Sequence, residues 1–591
     1  MKLTAAWRRV DRHRRQSGFN AMAKRLLRKR KVIGMRKFLS IVLASGLVTV
    51  LWGADWASQS GNPQRDGWAR SEEEIVKGQV QGLKLLYKTK LDNESKGLAS
   101  LTSPIILSNL ITYLGFKEML FVGGSSDNVY SIDAALNRLI WKTHFENQGD
   151  SAQASATPGC PGGLTASVAI TGGSSPMRGG FHRPRKAASA AGPQARRRPA
   201  APVNEGVFAS GFGRNGYVFA IDSSGYLRFV RQSDGNATAV PPVKFLPPNS
   251  KVSAININGT IVYAATVDGC GSNPNALYAV DLGGAEQHVV SFPTNGSGLS
   301  GKGGTAISEN GTVYVQVDNG HGDVAGGYNS TVLALNPEDL KVEDYFTPSG
   351  TASAAKKGIA APGATPTVFT WKGKELVIAA GRDGTVYLLD AESLGGADHH
   401  TPLAQTAPIA AADKQYAGHG IWGDFATWED LDSGTRWVYA SLWGPAGKAA
   451  KFATTNGESP NGSIVAFKVE EKNGKPALVP EWISRDLKTP VSPITTNGLV
   501  FALSTGESSR LAKKNGDLYT AAEREKMAAH ATMYALDGTT GKELFSTGDD
   551  VTTFSHGSGL ALANGRVYFT THDNTIYCYG FPAMQPQLTE R

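Results

Sequence analysis

One pattern recurs along most of this 591-residue chain and limits what it can fold into. Each copy contains an apolar strand, a turn, a second strand that often ends in Asp or Asn, a polar turn, and a third strand that often ends in an aromatic residue. The apolar residues alternate or run continuously, as in half-buried or buried strands, and the Asp or Asn side chain suits the turn that follows. Such a fixed repeat predicts an array of similar β-units. The eight copies of the second strand are residues 129–133, 217–222, 277–281, 332–336, 386–390, 464–467, 533–537 and 576–579.

The two ends of the chain complement each other. The last copy has no third strand after Phe581, whereas residues 83–89 (LKLLYKT) match the missing strand. Pairing of these two segments would close the ring and remove two open sheet edges. The sequence therefore predicts an all-β, eight-bladed β-propeller closed by its N- and C-terminal segments. Seven blades is the rival count, if the diverged copy at 217–222 is not a true blade.

The repeat resembles the pyrroloquinoline-quinone (PQQ) repeat of the quinoprotein alcohol dehydrogenase-like superfamily. Residues 534–545 (YALDGTTGKELF) and 130–142 carry the likeness, which covers most of residues 55–582. The resemblance implies a propeller that serves either an enzyme or a non-catalytic scaffold. For an enzyme it implies PQQ in the central channel, a Ca²⁺ ion beside it and a carboxylate that acts as base.

Two features of quinoprotein enzymes are absent from the sequence. It has three cysteines and no adjacent Cys-Cys pair, which counts against the alcohol dehydrogenases with a vicinal disulfide over the cofactor. It also has no Cys-x-x-Cys-His motif, so no covalent c-type haem is expected. These departures leave the catalytic interpretation open.

Residues 419–432 are the best candidate site, with one His, two Trp and four carboxylates. We assign candidate catalytic roles to Asp424 and His419, and stacking on a flat cofactor to Trp422 and Trp428. Glu429 and Asp430 offer the hard oxygen ligands that Ca²⁺ prefers. The alternative is structural: residues 430–434 form a hairpin turn and Trp428 belongs to a blade core. His556 precedes the inner strand of the last blade and is a further cofactor-binding candidate.

The basic charge of the chain is concentrated outside the repeats. Residues 1–34 carry a net charge of +11. The whole chain carries +9, so the other residues together carry −2. Residues 178–198 form a second basic block. A nucleic-acid footprint needs a basic face on a folded domain, so no nucleic-acid partner is expected. Expected partners are a small-molecule ligand or a periplasmic protein.

The N-terminal region predicts export. Residues 35–54 have a short basic start, an apolar run and small residues near a cleavage point, as in a secretory signal peptide. A membrane anchor is the alternative, although the run is short for a membrane helix. Residues 1–34 resemble an upstream extension, with a twin-arginine presequence as rival. We expect a periplasmic or secreted protein with no stable membrane span after cleavage.

Residues 55–582 are expected to form one propeller with three insertions, followed by a tail at 583–591. Residues 171–204 are predicted to be a disordered loop, and residues 505–531 include a capping-box pattern and a short helix over residues 521–529. Residues 444–462 are the third insertion. Cys160 and Cys270 lie in glycine-rich loops that either pair in an oxidising compartment or never meet.

Three functions remain open at this stage. The first is an exported propeller that binds a ligand or partner without catalysis. The second is a PQQ- and calcium-dependent oxidoreductase with an atypical site. The third is an assembly scaffold of the cell envelope. Carboxylates with one Arg or Lys around the central channel would favour the second function.

Overall fold

The computed structural model describes thirteen parts of the chain: residues 55–112, 115–146, 160, 162–170, 216–284, 286–294, 298–317, 328, 330–349, 363–381, 383–411, 420–515 and 517–582. The chain divides into two compact units, 1–52 and 53–591. The predicted extension 1–34, signal peptide 35–54, insertion 171–204 and tail 583–591 lie outside the described residues. So does His419.

The described residues form 35 strands and one α-helix. Single-turn 3₁₀ helices occupy Val80–Gly82, Cys270–Ser272 and Gly396–Asp398, and the α-helix, α1, is Ala521–Met527. The strands are β1 (Lys84–Lys90), β2 (Ile105–Thr112), β3 (Gly115–Gly124), β4 (Asn128–Asp133), β5 (Arg138–His144), β6 (Ala169–Ile170), β7 (Tyr217–Ile221), β8 (Tyr226–Arg231), β9 (Val243–Lys244), β10 (Lys251–Val252), β11 (Asn256–Asn258), β12 (Ile261–Val267), β13 (Ala276–Asp281), β14 (Val289–Pro293), β15 (Ala306–Ile307), β16 (Val313–Gln316), β17 (Val332–Leu335), β18 (Val342–Phe346), β19 (Ala364–Thr365), β20 (Thr367–Trp371), β21 (Lys374–Ala380), β22 (Val386–Asp390), β23 (Ala404–Gln405), β24 (Gly420–Asp430), β25 (Thr435–Trp443), β26 (Thr454–Thr455), β27 (Gly462–Lys472), β28 (Lys475–Ile483), β29 (Ile494–Thr496), β30 (Leu499–Ser504), β31 (Thr532–Asp537), β32 (Glu543–Ser546), β33 (Ala561–Ala563), β34 (Arg566–Thr571) and β35 (Thr575–Gly580).

These strands form an all-β β-propeller, which confirms the predicted fold class. Hydrogen bonding groups them into eight sheets: β2–β5, β6–β9, β10–β14, β15–β18, β20–β23, β19 with β24–β28, β29–β32, and β33–β35 with β1. The blade count, by contrast, is seven, which was the rival number in the prediction. Strand β1 pairs antiparallel with β35, for example Lys88 with Tyr577.

The repeated motif falls on the third strand of seven sheets, such as β4, β13 and β31. All six residues of β4 are buried, because this strand lies between two neighbours and its apolar side chains face adjacent sheets. In the sheet β6–β9 the motif at residues 217–222 falls instead on the second strand, β7. Both β7 and β8 are apolar, so the sequence pattern does not distinguish them.

Residues 56–69, the floor segment, lie inside the ring of sheets. The backbone of this segment forms hydrogen bonds with the first strands of six sheets. Its partners there are the backbone groups of Ile106, Ile170, Ile307, Val368, Thr427 and Thr495. The amide of Asn256 adds a seventh sheet by donating to the carbonyl of Pro63 at 3.1 Å. The floor segment therefore fills the axial space that these strands enclose, which we call the central channel.

Three further expectations are tested by these residues. Helix α1 begins after Thr520, whose hydroxyl accepts from the N–H of Glu523 in a complete capping box, and it ends at Met527 rather than at residue 529. Cys160 and Cys270 form a disulfide, the first of the two alternatives. No helix within the described residues is long and apolar enough to cross a membrane.

Candidate functional site at the mouth of the central channel

An equivalent residue stands at or just before the innermost strand of each sheet and faces the adjacent sheet. This ring position holds mostly small hydroxyl residues. Three of them accept a hydrogen bond from the backbone of the preceding sheet: Thr365 from Gly303 N–H at 3.0 Å, Ser103 from Gly559 N–H at 2.6 Å and Ser492 from Asp424 N–H at 2.8 Å. The ring consists of Ser103, Ser167, Ser253, Gly304, Thr365, Asp424, Ser492 and Gly559. Asp424 is the single carboxylate among these eight positions.

Strand direction separates two sides of this ring. Strands β19 and β24 run parallel, with Thr365 opposite Asp424. The residues that hydrogen-bond the floor segment come after the ring position in the sequence of their strands. The floor segment therefore lies on the side of the ring toward the C-terminal ends of these strands. Residues that precede the ring position lie on the other side, which we call the mouth. Lys302, Trp422 and His556 precede it.

Asp424 faces the floor segment and both of its carboxylate oxygens are occupied. It is 1% exposed. Oδ2 accepts from the Ser60 hydroxyl at 2.6 Å and from the Gln59 amide at 3.5 Å, and Oδ1 accepts from the Gly303 N–H at 3.2 Å. A Cβ at position 303 would lie 2.4 Å from Oδ1, so only glycine fits there. Asp424 thus fixes the backbone next to Lys302.

Arg65 is the fully buried cation of the floor, with no exposed surface. Its guanidinium donates to the Ser58 hydroxyl and to the carbonyls of Gln59, Ile255, Gly303 and Thr305, at 2.6–3.2 Å. Burial lowers the pKa of Arg65 to about 10 against the opposing attraction of Asp424. It therefore stays charged at neutral pH and joins the floor segment to two sheets.

Lys302 lies on the mouth side and is partly buried. A Cβ added at Gly557 would lie 3.4 Å from its Nζ, so the side chain reaches the segment beside His556. Within the described residues its ammonium makes no hydrogen bond or ion pair within 4.0 Å. Burial and the charge of Lys251 lower the pKa of Lys302 to about 8, while Asp424 opposes them. This amine is therefore a cation without an acceptor in the part of the chain that the structure describes.

His556 completes the mouth together with the 505–531 insertion. Its Nδ1 lies 2.6 Å from Oε1 of Glu507, whose Oε2 accepts from Arg524 at 2.6 Å. Burial alone would raise the pKa of Glu507, but His556 and Arg524 bring it down to about 2. Burial lowers the pKa of His556 against the attraction of Glu507. With Nδ1 engaged, Nε2 is left as the reactive nitrogen, because it has no partner within the described residues.

An aromatic pair lies at the level of Lys302. Trp422 precedes the ring position Asp424 by two residues, as Lys302 precedes Gly304. The Trp422 ring stacks on Trp443 with centroids 4.4 Å apart and planes 29° apart. The Trp443 indole N–H donates to the carbonyl of Pro490 at 2.9 Å, which fixes the pair. The half-exposed Trp422 thus offers a rigid, flat surface near the mouth.

The other candidates from the sequence lie elsewhere. Trp428 packs against the core between two sheets, as in the structural alternative. Glu429 binds Arg436 at 2.8 Å, and Asp430 accepts from the Asp432 N–H and the Ser433 hydroxyl in the hairpin turn. Glu429 and Asp430 are adjacent in β24 and point to opposite faces, five and six residues or about 15–20 Å along the strand from Asp424. This arrangement does not bring the proposed metal ligands together with Asp424.

Sequence reasoning selected Asp424 and His556 and missed Arg65, Lys302, Glu507 and Arg524. Lys302 stands inside the glycine-rich run 298–304, which was the one visible signal for it. Glu507 and Arg524 come from the predicted insertion at residues 505–531. No group of three or more His, Cys, Asp or Glu within the described residues is placed to hold a metal ion.

Comparison with known proteins supports the fold. No protein-family model matches the sequence, and no curated protein matches it. Among solved structures, a quinohemoprotein alcohol dehydrogenase from Pseudomonas putida is similar with a TM-score of 0.52 and 13% identity, over 90% of this chain and 82% of that chain. A europium-containing methanol dehydrogenase gives a TM-score of 0.50 and 12% identity, over 89% and 98%. At these identities the likeness shows the β-propeller fold, and it confirms the predicted resemblance at the level of fold.

Proposed function

We propose that the mouth of the central channel binds a planar ligand that carries several negative charges. The observation that carries this proposal is Lys302, a partly buried ammonium without an acceptor among the described residues. Partial burial removes some of the solvation of this cation, and an opposite charge would replace it, so an anionic ligand is the partner that we propose. Trp422 supplies a flat surface on the same level. Arg524 and Lys251 are each paired with a carboxylate, Glu507 and Asp268, so Lys302 is the principal cation of the mouth.

PQQ is the ligand that fits this proposal best. It is a flat quinone with three carboxylates, and the quinoprotein fold suggests it. Lys302 and Arg524 would bind its anionic groups, and Trp422 would stack on its rings. The described residues supply no calcium ligand set, so the proposal assigns no role to Ca²⁺.

A PQQ-dependent oxidoreductase is the second candidate, and the His556–Glu507 pair favours it. When bound, the quinone accepts the electrons removed from an alcohol or sugar. His556, oriented by Glu507, would accept the hydroxyl proton of the substrate at Nε2. Asp424 is a weaker base candidate, because its two oxygens already accept hydrogen bonds from Ser60 and Gly303.

Titration of the protein with PQQ tests the ligand proposal. Tryptophan fluorescence should be quenched saturably at one site per chain, with and without Ca²⁺, and the affinity should fall as ionic strength rises. Absence of binding at high micromolar PQQ would refute this ligand. A dye-linked assay with alcohols and sugars on the loaded protein then separates a dehydrogenase from a binding protein.

We further propose eight blades, closed by β1, and export from the cytoplasm. The eight hydrogen-bonded sheets and the pairing of β1 with β35 support the first proposal. The Cys160–Cys270 disulfide supports an oxidising compartment. Deleting residues 84–90 should expose the edge of β35 and cause aggregation. Cell fractionation with thiol labelling should find the protein in the periplasm or medium with both cysteines blocked.

A further inference from the structure

We propose that Lys302 is an imine-forming lysine, and that the mouth captures small anionic carbonyl compounds such as aldehydes or keto acids. The inference rests on the proposed anion-binding role of the mouth. It adds a covalent step that PQQ binding does not require. No part of the PQQ resemblance assigns such a step to this chain.

The position of the Lys302 amine carries the first part of the argument. Gly303 N–H is held by both Thr365 and Asp424, so the backbone that bears Lys302 is fixed. The side chain crosses the channel toward Gly557. The carboxylate of Asp424 attracts the amine through space but accepts its hydrogen bonds from the floor segment and Gly303, so it does not cap the ammonium.

Charge supplies the second part. The titratable groups that face Lys302 are Asp424 and Lys251, and His556 lies next to Gly557. Lysines become nucleophilic when they are desolvated or stand beside another cation, because both favour the neutral amine. Lys251 is paired with Asp268 at 2.7 Å, so the charge that attracts an anionic carbonyl compound is that of the protonated Lys302.

The chemistry balances without an oxidant. The neutral amine attacks the carbonyl carbon, a C–N bond forms, and the proton lost from nitrogen moves to the former carbonyl oxygen. The carbinolamine hydroxyl takes up a proton from water and leaves as water, which gives a protonated imine. Nε2 of the neutral His556 then accepts the N–H proton and returns it to solvent as the neutral imine forms. Glu507 keeps His556 oriented throughout.

Reductive trapping tests this inference on the full protein. Glyoxylate and propanal, one anionic and one neutral aldehyde, are each added with cyanoborohydride, and lysine modification is measured by peptide mass spectrometry. Lys302 should react at least about tenfold faster with glyoxylate than Lys372, an exposed lysine paired with Glu471. The rate should rise to half its maximum near pH 8, the lowered pKa of Lys302.

The controls separate the two proposals. Lys302→Arg removes the nucleophile and should abolish the fast modification, whereas Lys372→Arg, at the exposed pair with Glu471, should leave it unchanged. Equal rates for Lys302 and Lys372 with both aldehydes would overturn the inference while leaving PQQ binding untouched. Equally fast reaction of Lys302 with propanal and glyoxylate would support the reactive amine and overturn the anion preference on which the proposed function rests.

Discussion

The floor and the mouth of the channel both contain buried or half-buried charged and polar side chains, but the two regions differ in how many hydrogen-bond partners these side chains have. On the floor, Arg65 donates five hydrogen bonds and Asp424 accepts three. At the mouth, Lys302 has no acceptor and Nε2 of His556 has no partner among the described residues. Buried polar groups with all partners made within the chain stabilise a fold, whereas those without a partner indicate a ligand. The difference assigns structure to the floor and binding to the mouth.

The largest effect on stability is expected for Arg65→Met. The substitution leaves the carbonyls of Gln59 and Ile255 without a donor and removes the buried positive charge next to Asp424, which should cost about 3–5 kcal/mol. Urea unfolding measures the loss. Arg485→Gln, at the half-exposed pair with Glu543, should change stability by less than about 1 kcal/mol. Similar losses in both variants would mean that the buried Arg65 stabilises the fold no more than a half-exposed ion pair does.

Glu507→Gln tests the link between the insertion and the mouth through pH. The pKa of Glu507 is lowered to about 2 in the fold, from a usual value of 4.5. A lowered pKa stabilises the folded state fully above the usual value, and this contribution is lost as pH falls from about 4.5 to about 2. The variant should lose about 3 kcal/mol at neutral pH and show a flatter pH dependence in that window. If Glu543→Gln flattened the profile as much, Glu507 would not be the responsible group.

Asp424→Asn is expected to cost about 2 kcal/mol, because one buried donor among Ser60, Gln59 and Gly303 loses its acceptor. The loss should appear in the urea midpoint. Because Asp424 fixes the backbone beside Lys302, PQQ affinity should weaken less than in a Lys302 variant. If the free energy of PQQ binding fell by more than the free energy of unfolding, Asp424 would instead belong to the binding site at the mouth.

Lys302→Gln should have the smallest effect on stability, within about 0.5 kcal/mol, since no hydrogen bond or ion pair among the described residues is lost. Differential scanning calorimetry of the variant beside Lys372→Gln measures this. A clear loss of stability would mean that Lys302 has an acceptor in the protein, and the comparison between floor and mouth would fail.

The fold was accessible from the sequence because its repeat is local: each strand, turn and terminal Asp lies within a short window. The shift of the second copy onto β7 arose where two neighbouring strands, β7 and β8, carry the same apolar pattern. The site was less accessible because its contacts are distant in sequence. Lys302 and Gly557 are brought together by the ring, as are Arg65 and Ile255, and no local pattern signals either contact.

The PQQ affinity of Lys302→Gln, measured by calorimetry against wild type and Lys372→Gln, tests the central claim most directly. The account predicts one saturable site in wild type and in Lys372→Gln, and about tenfold or greater weakening in Lys302→Gln with an unchanged unfolding temperature. Equal affinity in all three proteins, or no saturable binding in wild type, would contradict it.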